Sequence, residues 1–224
     1  VQNDPIARII EAVADEIIYQ SYFVKNWWET SYGRPNVNTA VIYNSVDVGD
    51  FRPKTSCTHG PPLLICAEAR LIDDHISQET IKHVAKSLYG EGIIKGIRIV
   101  GELGESDRSA LSGIPGVEVL GSVPRESMPA ILREADIFLN LDVNAACPNA
   151  VIEALASGLP VVGYRTGALP ELVPPEAGML VDYGGDPWKA DKPDLMGLSD
   201  AIRNVVSNLD QFSRVARRVA EAKY

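Results

Sequence analysis

The chain has 224 residues, 46% hydrophobic and 23% charged, with 21 Lys and Arg against 30 Asp and Glu and a formal net charge of −9. That is a globular composition, with length for one large domain or for one domain and part of another. An acidic surface repels nucleic acid and anionic lipid, which excludes both as main partners, and no apolar run reaches the length of a bilayer span.

In chain order, Asp4 to Ala14 predicts a helix, Glu16 to Tyr19 a strand, Tyr22 to Ser31 a second helix and Thr39 to Tyr43 a second strand. Val1 to Gln20 is amphipathic and acidic, unlike a signal peptide. With no Met at its start, the sequence reads as a fragment, a processed product or a partly observed protein. Trp27-Trp28 beside Lys25 is a candidate for peripheral membrane contact, although such residues more often pack between domains. Asn44-Ser45-Val46-Asp47 and Phe51-Arg52-Pro53 form a connecting segment. Pro53 to Pro62 is rich in Pro, Thr, Ser and Gly and marks the expected boundary between a unit at 1–54 and a unit at 55–224. The three cysteines, Cys57, Cys66 and Cys147, are odd in number and irregular in spacing. They suit a reducing compartment, so a cytoplasmic protein is expected. Cys57 and His59 form a C-x-H pair with no second ligand pair at zinc-site spacing, so no metal is expected.

Beyond the boundary, β-type runs fall at Leu63 to Ala67, Ile97 to Val100, Val117 to Leu120, Ile137 to Leu141, Pro160 to Tyr164 and Met179 to Val181. Helical patterns lie between them at Gln78 to Leu88, Met128 to Glu134 and Asn149 to Ala156. The chain ends in helices over Met196 to Leu209 and Asp210 to Tyr224, with Asp210 a good N-cap. This alternation predicts an α/β fold: a Rossmann-like, doubly wound parallel sheet with right-handed crossovers.

In such a sheet ligands sit beyond the carboxyl ends of the strands. Arg70 and His75 lie in the loop after the first of these strands, where a guanidinium can grip a diphosphate with a bidentate fork. Both also read as solvated loop residues. Pro148 suits the first turn of the Asn149 helix and Gly158 its end. The amides of Asn149, Ala150 and Val151 should then be open to a phosphate oxygen. Glu153 falls off the apolar face formed by Val151, Ile152, Leu155 and Ala156, and by spacing alone it faces solvent. Gly101-x-x-Gly104 and Gly121-Ser122-Val123 follow strands and permit close backbone approach. The first is not a dinucleotide fingerprint, so no nicotinamide or flavin cofactor is expected.

The stretch from Ala135 to Val173, above all Cys147 to Glu153, resembles the nucleotide-sugar site of family-4 retaining glycosyltransferases, which have the GT-B fold. Asn44 to Pro53 is similar to that family's Asn-Gly-Val-Asp linker, with Ser45 in place of the glycine, and Gly116 to Val123 also matches. The resemblance implies that residues 55–224 are the C-terminal, nucleotide-sugar-binding domain, and that residues 1–54 are the tail of an N-terminal acceptor-side domain and its linker. It implies transfer of a sugar from a nucleoside-diphosphate sugar (UDP-, GDP- or ADP-linked) to a carbohydrate or lipid-linked acceptor, with retention of configuration and no metal or cofactor. Arg70, His75 and the amides after Pro148 would hold the diphosphate, and Glu153 the ribose. Gly101 and Val123 would flank the base, and Thr166, Gly167 and Glu171 would lie near the sugar and diphosphate. Glu171 could equally cap a short helix by reaching back to Thr166 or Gly167. No residue is assigned the catalytic role. The chain departs from the family pattern at Ala69, His75 and Ala168, and above all at Ala145, where the family has an acid near the transferred sugar. Asp142 or Asn144 could substitute for that acid. These departures leave room for a degenerate GT-B domain that binds a nucleotide or partner without catalysis. Another GT-B enzyme, such as a nucleotide-sugar epimerase or a sugar phosphorylase, fits the Cys147 to Glu153 pattern less well.

Overall fold

The computed structural model describes residues 4–55, 60–70 and 75–224, the side chains of 4, 6–8, 11, 69 and 70 excepted. The Cys57–His59 pair and the loop at 71–74 lie outside the described residues. The chain begins with helix α1 (Asp4–Val13), strand β1 (Glu16–Tyr19), helix α2 (Tyr22–Tyr32) and strand β2 (Asn38–Val41). β1 and β2 pair in parallel, Glu16 opposite Asn38 and Tyr19 opposite Val41, as a separate two-stranded sheet. Ser21 starts α2 by accepting a hydrogen bond on its hydroxyl from the Val24 amide, as an N-cap serine does.

The larger sheet contains β3 (Leu63–Arg70), β4 (Gly96–Glu102), β5 (Val117–Gly121), β6 (Ile137–Asn140), β7 (Val161–Tyr164) and β8 (Gly178–Val181). All of its pairs are parallel, in the order β5-β4-β3-β6-β7-β8. Successive residues of β3 feed opposite layers. Ile65 and Ala67 join Phe138, Val151, Leu155 and Val161 on one face, and Leu64 and Cys66 join Ile81, Ile97, Val162 and Ile202 on the other. Burial on both faces is why these strands read as unbroken apolar runs. The first face is covered by α5 (Met128–Glu134), α6 (Asn149–Ala156), the single turn α7 (Leu169–Leu172) and α9 (Leu209–Lys223). The second is covered by α3 (His75–Val84), α4 (Glu105–Ser112) and α8 (Leu195–Ser207).

Three local features differ from expectation. α3 starts at His75 rather than Gln78, and its end widens into a π-helical turn over Ala85–Tyr89. α4 has no counterpart in the pattern reading, because only Leu111 of its eight residues is buried. Asp210 is not the N-cap of the last helix. Asn208 occupies that position with its side-chain amide committed to the Asn204 carbonyl, and Asp210 sits in the first turn, where its charge still complements the helix dipole. α6 matches its expected limits. Gly158 ends it at φ 73°, with its amide donating to the Leu155 carbonyl and the Leu159 amide to the Ala154 carbonyl, a Schellman arrangement. No helix among the described residues is long and apolar enough to cross a membrane.

Gly178 opens β8 directly beside Val161, and a β-carbon built there would lie 2.0 Å from the Val161 carbonyl oxygen. Gly178→Ala must therefore push β7 and β8 apart. The expected cost is about 1–3 kcal/mol, read as a lower urea midpoint with an unchanged slope.

Candidate functional site

The winding of the sheet reverses between β3 and β6. The chain builds β4 and β5 outward on one side of β3, then returns to lay β6 against its other edge. A cleft of about 740 Å³ opens at the carboxyl ends of these strands. Its size is that of a small-molecule site, and its place is the switch point where open α/β sheets bind ligands. Ala67 and Glu68 of β3, Gly101 and Glu102 of β4, Ser122 and Val123 after β5, and Asn140 and Asp142 at the end of β6 line it. Gly101 is required for the close approach of two strands, since a β-carbon there would meet the Glu68 carbonyl oxygen at 2.0 Å. Glu68 also closes the gap across the reversal by accepting a hydrogen bond from the Leu141 amide at 2.7 Å.

The N-terminus of α6 forms one wall, through Pro148, Asn149 and Ala150. Pro148 occupies the cap position at φ −68° and has no amide hydrogen to donate. The Asn149 and Ala150 amides have no acceptor among the described residues. Val151 corrects the expectation of three open amides: its N–H is spent on the Pro148 carbonyl at 3.1 Å, and its side chain is in the core. From the connecting segment, Asn44 donates through its side-chain amide to the Cys147 carbonyl at 3.0 Å and to the Asn149 side-chain oxygen at 2.7 Å. Asn44 thus fixes the loop that leads into α6.

Glu153 does not face solvent. Every residue of α6 from Val151 to Ala156 is buried, because strands lie on one side of the helix and α9 on the other. The direction off the apolar stripe therefore leads into the cleft, which Glu153 lines with a side chain only 6% exposed. Its Oε1 accepts a hydrogen bond from Arg125 Nη2 at 2.8 Å. Burial pushes the Glu153 carboxyl above its ordinary range, and the Arg125 guanidinium pulls it back in part. The sequence reading missed Arg125. Its position just past Gly121-Ser122-Val123, beyond the end of β5, is the signal that could have found it.

The other candidates divide by location. Gly101 and Val123 line the cleft. Arg70 ends β3 opposite Glu102, and its side chain lies outside the described residues. His75 is exposed at the start of α3 and is not among the residues lining the cleft. Thr166, Gly167 and Ala145 join two loops instead. The Thr166 hydroxyl accepts from the Asn144 amide at 3.2 Å, and the Ala145 carbonyl accepts from the Ala168 amide at 2.9 Å. Gly167, at φ 58°, passes so near Ala145 that a β-carbon would lie 2.6 Å from its backbone. Of the two residues weighed as substitutes for an acid at Ala145, Asp142 lines the cleft and Asn144 does not.

Glu171 caps a helix, but not its own. Its two oxygens accept from the Tyr22 amide at 2.8 Å and the Phe23 amide at 2.6 Å, the first residues of α2. It also accepts from the Tyr43 hydroxyl at 3.0 Å, and burial together with this carboxylate pushes Tyr43 up to about 12.

The fold agrees with the comparisons. The family model described as glycosyl transferases group 1 matches residues 78–208, more than half of the chain, and the chain belongs to that family. A phosphatidylinositol N-acetylglucosaminyltransferase subunit from Arabidopsis thaliana is 36% identical over 197 residues, 83% of this chain and 42% of that protein. Among solved structures, the pneumococcal O-GlcNAc transferase GtfA, in complex with UDP and GlcNAc, superposes with a TM-score of 0.76 at 17% identity, over 99% of this chain and 44% of that one. Anabaena Alr3699/HepE, in complex with UDP and glucose, gives 0.75 at 17% identity, over 100% of this chain and 63% of that one. At such identities the likeness establishes the fold, that of the GT-B glycosyltransferases. The chain spans less than half the length of the curated relatives it matches.

Glu171→Ala leaves the Tyr22 and Phe23 amides without their acceptor. A loss of about 1–2 kcal/mol is expected, with faster hydrogen exchange concentrated in the first turn of α2 and unchanged exchange in β6 and β7.

Proposed function

We propose that the cleft holds the nucleoside diphosphate of a sugar donor, and that this chain supplies the donor-binding half of a retaining glycosyltransferase. The observation that carries the reading is a buried carboxylate, Glu153, lining the same cleft as two unpaired helix amides. A carboxylate can accept both vicinal hydroxyls of a ribose. The amides of Asn149 and Ala150, at the positive end of α6, suit a phosphate oxygen. Arg70 would add a cationic contact to the departing diphosphate, taking the part a metal plays elsewhere, and His75, which does not line the cleft, would reach it only if the ligand extends to the start of α3. Gly101 and Val123 would flank the base. Asp142, which lines the cleft, would be the acid that contacts the transferred sugar in the absence of one at Ala145.

Retention of configuration is supported by the likeness of Cys147 to Glu153 to family-4 enzymes. The acceptor would be a carbohydrate or a lipid-linked sugar, and the protein would act in the cytoplasm. Peripheral membrane contact through Trp27 and Trp28 goes with the lipid-linked case. A second reading, binding without transfer, draws on Ala145, whose side chain offers no hydrogen-bonding group and whose backbone carbonyl is taken up by the Ala168 amide.

UDP, GDP and ADP, tested in turn, should include one that raises the melting temperature in a concentration-dependent way. Glu153→Gln should weaken that nucleotide about 10- to 100-fold, or about 1.4–2.7 kcal/mol. Hydroxyl donors need the ionised carboxylate, and this carboxyl titrates above its ordinary range. Affinity should therefore fall as pH drops through that raised value. The Gln variant should show no such fall. A flat thermal response to all three nucleotides defeats the donor reading.

A further inference from the structure

The cleft gathers charged side chains. Among the described residues that line it, Glu68, Glu102, Asp142 and Glu153 bring carboxylates, and Arg125 brings the single cation. Arg125 stands at the mouth, at the start of a short 3-10 turn over Arg125–Ser127, with its side chain 74% exposed. It reaches inward to a carboxylate that is almost wholly enclosed. A pair with so exposed a partner contributes little to folding stability, because solvent screens it. Its effect falls on the state and direction of the Glu153 carboxyl.

We propose that Arg125 is a positioning residue for the donor: by holding Glu153 Oε1 it keeps the carboxylate ionised and directs the other oxygen at the pentose hydroxyls of a nucleoside diphosphate. The proposal rests on the donor reading above and adds to it a residue outside the motif that carries the family resemblance. The geometry supports it in three ways. The contact is a charge-assisted hydrogen bond of 2.8 Å. Oε2 has no partner among the described residues. The loop from Gly121 to Arg125 connects β5 to α5 over the cleft, so the guanidinium approaches from the open side.

Glu68 from β3, Glu102 from β4 and Asp142 from the loop after β6 share the cleft with Glu153, and the charge that bears on its titration is that of Arg125. Behind α6, Arg217 of α9 is taken up by the carbonyls of Val48, Phe51 and Ala156 and by Glu221, and gives Glu153 no hydrogen bond. Without Arg125, burial would act unopposed in the direction of protonation.

The test uses the intact chain with Arg125→Met, Arg125→Lys and Glu153→Gln. Two quantities are followed from pH 5 to 8: the Glu153 carboxyl carbon by NMR without ligand, and the affinity for UDP and for GDP by calorimetry. Arg125→Met should move the Glu153 titration to higher pH. It should also weaken the bound nucleotide about tenfold at pH 5.5 and less than about threefold at pH 8. Arg125→Lys should fall between Arg125→Met and the unaltered chain, and in a Glu153→Gln background Arg125→Met should leave the shape of the pH profile unchanged, the remaining slope being that of the nucleotide's own phosphate. An unmoved Glu153 titration, or a loss of affinity equal at every pH, overturns the proposal, since the second result means that Arg125 merely attracts the diphosphate. A nucleotide affinity indifferent to Glu153→Gln overturns instead the donor reading beneath it.

Discussion

The site depends on a topological constraint: a parallel sheet whose chain leaves β3 on one edge and comes back to the other. Right-handed crossovers keep α6 on one face and α3 and α8 on the opposite face. At the reversal, neighbouring loops must part, and the gap between them is the cleft. Glu68 spans this gap by holding the Leu141 amide, so the divergence of β3 and β6 is fixed rather than frayed. The helix that starts at the gap, α6, presents its amides there as a result of connectivity, before any question of which ligand fills it.

Enclosure of α6 gives Glu153 its character. A carboxylate buried in a helix packed on all sides is costly unless its charge is matched. Arg125 supplies the match in part, and burial still leaves the group harder to ionise than an ordinary carboxyl. Perturbed groups of this kind concentrate where function needs them. In contrast, the Thr166–Gly167 loop uses its polarity internally, to hold the Asn144–Ala145 loop at backbone contact.

Much of the fold was legible in the sequence because its signals are local. Pro148 and Gly158 punctuate α6, and two-sided burial writes β3, β4, β6 and β7 as apolar runs. α4 was missed because a surface helix with one buried leucine has almost no apolar period. Spacing alone pointed Glu153 at solvent, because the amphipathic argument assumes that the far side of a helix meets water, and here it meets a cleft; the resemblance had given it a site role instead. Partners distant in sequence left no local trace. Arg125 lies 28 residues from Glu153, and Glu171 lies 149 from the amide of Tyr22. The resemblance placed Glu171 near the sugar, and the reading of its residues tied it to its own loop; neither view foresaw α2.

That long tie has a mechanical side. The last residue, Tyr224, donates its hydroxyl to the Leu172 carbonyl at 3.1 Å, and Lys223 donates to the carbonyl of Glu171. The C-terminal end of α7 is thus gripped by the tail of α9, while the Glu171 side chain grips the head of α2. Any tension applied to the end of α9 travels through one short turn into α2, the helix between the two strands of the small sheet. A rigid segment continuing from Tyr224 would load that strap, whereas a slack one would leave it at rest.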